Sequence, residues 1–159
     1  MYQTVLLAYD GSREGRLALR EGALLAQMCG AKVVLLAIVE PRLDYGMAMD
    51  TGMGYVPPVE SEDFQKILDE GLGRLTRMGL TPEARLEKGP PAERITAVAQ
   101  EVGADLVVVG HHKQGMIARW LLGSVTSAPS DSLNCSLLVA SQDIADEVLF
   151  ANAGPAPSP

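Results

Sequence analysis

Three places in the chain carry residue types suited to holding an anion and a sugar. Gly110 closes the apolar run Leu106-Val-Val-Val109, where the backbone must turn sharply and a glycine accepts any conformation. Gly123-Ser124-Val125-Thr126 follows, with a small residue just where a helix would begin. The unpaired N–H groups of such a helix start, and the positive end of its dipole, suit a phosphate. The hydroxyls of Ser124 and Thr126 can bond the same oxygens or simply cap the helix. Asp10, after the apolar run Thr4-Val-Leu-Leu-Ala-Tyr9, is a carboxylate able to accept from a ribose hydroxyl or an adenine amino group. Its other role is to bond the N–H groups of the turn that follows. His111 and His112 are adjacent but lack a carboxylate or Cys at ligand spacing, so they suit loop packing or a ligand contact better than a metal.

These residues need a scaffold that brings strand ends together. Thr4–Tyr9 reads as a first buried strand, ended by the turn Asp10-Gly-Ser12 with Ser12 as helix cap. From Arg13 to Met28, the residues Leu17, Leu19, Ala23, Leu24, Ala26 and Met28 recur at helical spacing, with Arg16, Arg20 and Glu21 outward, and Cys29-Gly30 closes the helix. Lys32–Val39 is a second buried strand without alternation. Residues 40–59 form a Met-, Gly- and Pro-rich connection with the length of a binding loop, a lid or a partner contact. A helix from Ser61 to about Met78 presents Phe64, Ile67, Leu68, Leu72 and Leu75 on one face. Glu83–Lys88 is a strand whose alternating charges mark a sheet edge. A helix over Ala92–Val102 leads through Gly103 and Asp105 into the strand Leu106–Val109. A further helix from Ser124 to about Asn134, bent near Pro129, precedes a last strand at Ser136–Ala140. Residues 142–159 read as a flexible tail, ending in a Pro-rich segment too poor in apolar residues to pack.

Strands alternating with helices predict an α/β domain over residues 1–141. It would be a doubly wound, Rossmann-like parallel sheet of five strands in the order 3-2-1-4-5. The ends of the first and fourth strands then flank the switch point, which brings Asp10, Gly110 and Gly123-Ser124 to one crevice. Composition agrees: 47% hydrophobic residues but 4% aromatic means an aliphatic core of the kind that packs helices on a parallel sheet. The net charge of −7 repels nucleic-acid phosphates and anionic lipid, so neither is expected as a partner. Cys29 and Cys135 lie far apart and are expected as buried thiols without a disulfide. No apolar run approaches the roughly 20 residues of a membrane span, and no basic leader precedes the first strand, so a cytoplasmic location is expected.

The set Val5-Leu-Leu-Ala-Tyr-Asp10-Gly-Ser12, Asp105-Leu-Val-Val-Val-Gly110, Leu121-Leu-Gly-Ser-Val125 and Asn134-Cys-Ser-Leu-Leu-Val139 resembles the universal stress protein family, from the first strand to about Ala140. The resemblance implies a homodimer paired through the last strand, Ser136–Ala140. One branch of that family binds ATP or AMP, in some cases with Mg, through Gly-x2-Gly-x9-Gly-[Ser/Thr]. Carried over, Gly110 is the first glycine and Gly123-Ser124 the last pair, while Lys113 stands where the second glycine belongs. Gly110-His111-His112 is similar to the other branch, whose members are not known to bind ATP. The resemblance would set adenine and ribose against Ala8, Asp10, Ile38 and Val109. It would set phosphates near Gly110, Gly123, Ser124, Val125 and Thr126, with His111 a further nucleotide contact; Lys113 would either block the phosphates' approach or, with Arg119, offset their charge. The chain holds no Gly-x4-Gly-Lys-[Ser/Thr] loop, no Gly-x-Ser-x-Gly elbow and no paired His-carboxylate spacing. A nucleotide-binding regulator is therefore expected ahead of a slow ATP hydrolase. A nucleotide-free homodimer acting through protein contacts is the alternative.

Overall fold

A computed structural model describes residues 1–39, 61–111, 133–141 and 144–145. Eight elements follow one another: β1 (Thr4–Ala8), α1 (Arg13–Cys29), β2 (Lys32–Val39), α2 (Ser61–Arg77), β3 (Glu83–Lys88), α3 (Pro91–Val102), β4 (Leu106–Gly110) and β5 (Ser136–Ala140). All strand pairs are parallel, and the sheet order is β3-β2-β1-β4-β5. The chain thus winds outward from β1 in both directions, as the pattern of elements predicts. The connection at 40–59, the helix expected from Ser124 and the tail beyond 145 lie outside the described residues.

The central strands do not alternate because both of their faces are covered. Val5, Leu7, Val33, Leu35, Leu106 and Val108 bury one face under α1 and α2. Leu6, Val34, Leu36, Val107 and Val109 bury the other under Ile95, Val98 and Ala99 of α3. Each such side chain withdrawn from water contributes about 1.5–3 kcal/mol before chain entropy is counted. Glycines set how closely the helices approach. A Cβ at Gly22 of α1 would lie 2.4 Å from Leu7 Cδ2, and one at Gly71 of α2 would lie 2.8 Å from Leu35 Cδ2 and from the Tyr9 ring.

At the amino end of the sheet, Asp105 ties β4 to β1. Its carboxylate accepts from Gln3 N (2.8 Å) and Thr4 N (3.0 Å), while its own N–H donates to Thr4 O at 3.0 Å. Burial would raise this carboxyl's pKa, but the backbone donors of Gln3 and Thr4 and the amino terminus outweigh it and hold the group below its usual range. β3 is an edge strand, as its charges predict, and it is half exposed. Its charges are paired outward, with Glu83 Oε2 2.9 Å from Lys32 Nζ and Arg85 Nη2 2.8 Å from Glu101 Oε1.

The elements differ from the sequence reading in a few places. β1 ends at Ala8, with Tyr9 N still donating to Leu36 O at 2.9 Å. α3 begins one residue early, because Pro91 occupies the first helical position, where its missing N–H costs nothing. In α1 the buried face is Ala18, Leu19, Ala23 and Ala26, whereas Met28, expected on it, is 71% exposed. The cysteines are free but only half-buried; burial, and secondarily the Asp105 carboxylate, pushes the Cys135 thiol up.

Candidate functional site

The carboxyl ends of β1, β2 and β4 open on one crevice of about 120 Å³ at the switch point of the sheet. β1 and the turn after it supply Ala8, Asp10 and Ser12, and the first turn of α1 adds Glu14 and Gly15. Leu36 and Ile38 of β2 and Val109 and Gly110 of β4 form its floor and far side. Pro91 and Ile95 of α3 close it from the opposite layer. The walls are therefore mostly aliphatic, and the polar groups gather at the Asp10–Gly15 rim. That division suits a flat apolar ring system with a polar substituent, the general form of a small-molecule site.

The rim is held by a short relay. Asp10 Oδ1 accepts from Ser12 N at 2.9 Å and from the Ser12 hydroxyl at 2.5 Å, and Ser12 Oγ accepts in turn from Gly15 N at 3.0 Å. One carboxylate oxygen is thus committed to the turn, which is the local role open to this residue, and Ser12 caps α1 as its position predicts. A Cβ at Gly15 would stand 2.4 Å from Asp10 Oδ1, so a glycine is what lets the carboxylate fold back over the helix start.

Gly110 is required for a different reason than the sequence suggests. Its φ is not positive. Instead, a Cβ there would lie 2.7 Å from both the carbonyl carbon and the oxygen of Glu14 and 3.0 Å from Gly15 N. The end of β4 is pressed against the backbone of the first turn of α1, and that contact sets the width of the crevice.

Of the residues singled out from the sequence, Ala8, Asp10, Ile38, Val109 and Gly110 line this one hollow. His111 does not line it: the residue is exposed, and its N–H extends the β4–β5 pairing to Ala140 O at 3.1 Å. Lys113, Gly123, Ser124, Val125 and Thr126 lie outside the described residues, as does Arg119. Glu14, Gly15, Leu36, Pro91 and Ile95 were not singled out. A glycine inside the first turn of a helix was the one available signal, at Gly15. Among the described residues, no group of three or more His, Cys, Asp or Glu could hold a metal ion.

Tyr9 also lines the crevice; it is 3% exposed and its ring packs beside Gly71. Burial raises its pKa, the Arg16 guanidinium opposes that, and Glu70 adds to it. Glu70 joins two helices, at 2.9 Å from Arg16 Nη2 of α1 and 2.9 Å from Arg74 Nη2 of its own helix. The Arg74 hydrogen bond holds the Glu70 carboxyl below its usual range, despite partial desolvation.

The family model for the "Universal stress protein family" matches residues 1–141. A universal stress protein of Thermus aquaticus is 31% identical over 144 residues, covering 87% of this chain and 98% of that protein. Among solved structures, a universal stress protein in complex with cAMP is 26% identical, with a TM-score of 0.62 and coverage of 89% of this chain and 99% of that one. The universal stress protein of Archaeoglobus fulgidus in complex with dAMP shares the fold, at 19% identity, a TM-score of 0.62 and coverage of 88% and 98%. The order of the strands, the crevice at their carboxyl ends and the match along residues 1–141 agree, and the chain belongs to the universal stress protein family.

Proposed function

We propose that this protein binds an adenine nucleotide, AMP or ATP, in the switch-point crevice and acts as a regulator in the stress response. The observation that carries the reading is the convergence of Ala8, Asp10, Ile38, Val109 and Gly110, from three strand ends, on one aliphatic hollow with a carboxylate at its rim. The base lies between Ile38, Ile95 and Val109, and the second oxygen of Asp10 accepts from the ribose. Phosphates extend from Gly110 toward Gly123-Ser124, where Thr126 and Lys113 add a hydroxyl and a charge. A Mg ion, where it is bound, comes with the phosphates. The related structure that holds cAMP supports an adenine nucleotide of this size.

In this reading the protein is a cytoplasmic homodimer paired along β5, and it changes partner with nucleotide state. Among the described residues no helix is long and apolar enough to cross a membrane, which is consistent with that location. One feature favours the second reading, a nucleotide-free homodimer: Lys113 stands at the place of a motif glycine. Calorimetry with AMP and ATP on the wild type and on Ile38→Trp decides between them. Binding by the wild type, weakened at least about tenfold by the indole that fills the slot, supports the nucleotide reading. No heat with either nucleotide at millimolar concentration refutes it. Lys113→Gly then reports the lysine's role: weaker binding if it offsets phosphate charge, tighter binding if it obstructs.

A further inference from the structure

Tyr9 lines the crevice but has no part in the site proposed above. Its neighbour Ala8 packs on the α3 side of the sheet with Ile38 and Val109, whereas the Tyr9 side chain belongs to the core under α1 and α2. The ring is clamped in that layer. Tyr9 N donates to Leu36 O at 2.9 Å, and a Cβ at Gly71 of α2 would lie 2.8 Å from Cδ1 and 3.0 Å from Cε1 of the ring. A displacement of Asp10 therefore passes through Tyr9 to α2.

The Tyr9 hydroxyl is buried and makes no hydrogen bond of normal geometry among the described residues. Buried hydroxyls are nearly always paired, because an unpaired one has given up its bonds to water for nothing. The charges that act on it belong to Arg16, Glu70 and Arg74. In that cluster Glu70 Oε1 takes three guanidinium contacts, from Arg16 Nη2 at 2.9 Å, Arg74 Nε at 3.0 Å and Arg74 Nη2 at 2.9 Å. The Glu70 carboxylate is thus an acceptor already held in place from both helices. We propose that Tyr9 is a positioning residue of the crevice: when the ribose bonds Asp10, the end of β1 settles so that the Tyr9 hydroxyl donates to Glu70. This role rests on the nucleotide reading and deepens it. Part of the binding free energy then comes from a hydrogen bond that the ligand does not touch, and the α1–α2 face registers that the crevice is filled.

Tyr9→Phe separates this role from plain packing. The ring stays and only the unpaired hydroxyl goes, so the nucleotide-free variant should melt at or above the wild-type Tm. AMP should nevertheless bind it at least about fivefold more weakly by calorimetry. A residue that merely fills space would move both quantities in the same direction. In a Glu70→Ala background the same substitution should leave AMP affinity unchanged, because the acceptor is already gone. Equal affinity of the wild type and Tyr9→Phe would overturn the proposal. So would a loss of affinity that comes with a lower Tm in the nucleotide-free protein, or one that persists undiminished beside Glu70→Ala. Failure of the wild type itself to bind AMP is a separate result, which removes the nucleotide reading and the role of Tyr9 with it.

Discussion

Gly110→Ala is the most informative single substitution, because one methyl group tests how the crevice is built. The added carbon would meet the Glu14 carbonyl carbon and oxygen at 2.7 Å and Gly15 N at 3.0 Å, all of them backbone atoms. No rotamer change relieves that overlap, so either the first turn of α1 or the end of β4 must move. Forced repacking of this kind costs about 1–3 kcal/mol. In a chain of this length that corresponds to a Tm lower by roughly 2–12 °C. The same displacement carries the Asp10–Ser12–Gly15 relay away from Val109, so affinity for AMP should fall by at least about tenfold. Gly73→Ala is the matched control. It lies inside α2, nothing stands within 4 Å of its would-be Cβ, and its φ is not positive. Replacing that glycine should stabilise the helix by about 1 kcal/mol and raise Tm by roughly 2–4 °C. Thermal melts and calorimetry on both variants decide the matter. If Gly110→Ala melts with the wild type and binds nucleotide equally well, the close approach of β4 to α1 does not shape the site.

Other substitutions test the supporting structure. Ser12→Ala removes both the acceptor for Gly15 N and the hydroxyl bound to Asp10, and should cost about 1 kcal/mol by chemical denaturation. Asp105→Asn should destabilise the fold at pH 7 by about 1 kcal/mol, since one charged acceptor serving two backbone donors is lost. The folded-state pKa of Asp105 is lowered, so its contribution is complete above the unfolded value of about 3.9 and disappears as pH falls through the folded one. Wild type and variant should accordingly converge in stability in acid, as followed by urea titrations at stepped pH. Gly22→Ala places a methyl 2.4 Å from Leu7 Cδ2 and should cost about 1–3 kcal/mol, with partial recovery when Leu7→Ala is added to make room.

The parts of the fold readable from the sequence are those where punctuation and composition act together. β2, β3 and β5 end where expected, because Gly, Pro, Asp and Ser bracket unbroken apolar or charge-alternating runs. The alternation of strands and helices reads as a doubly wound sheet with its switch point between the first and fourth strands, and this brings Asp10 and Gly110 to one crevice without any knowledge of side-chain contacts. The phase of α1 was not readable in the same way. Leu17, Leu24 and Met28 satisfy the helical period as well as Leu19, Ala23 and Ala26 do, and only packing against β1 and β4 selects the second set. Gly15, Pro91 and Ile95 escaped notice for a related reason. Their places in the crevice depend on contacts through space, with a folded-back Asp10 for one and with the layer opposite β1 for the others. The role of Gly110 was likewise visible as a glycine but not as an approach between two backbones.

The central claim is that the switch-point crevice holds an adenine nucleotide, and amide chemical shifts followed during an AMP titration test it most directly. Saturable changes are expected at Ala8, Asp10, Ile38, Val109 and Gly110, with Glu14 and Gly15 moving alongside them. An unchanged spectrum, or changes confined to the Arg16–Glu70–Arg74 cluster that joins α1 and α2, would contradict it.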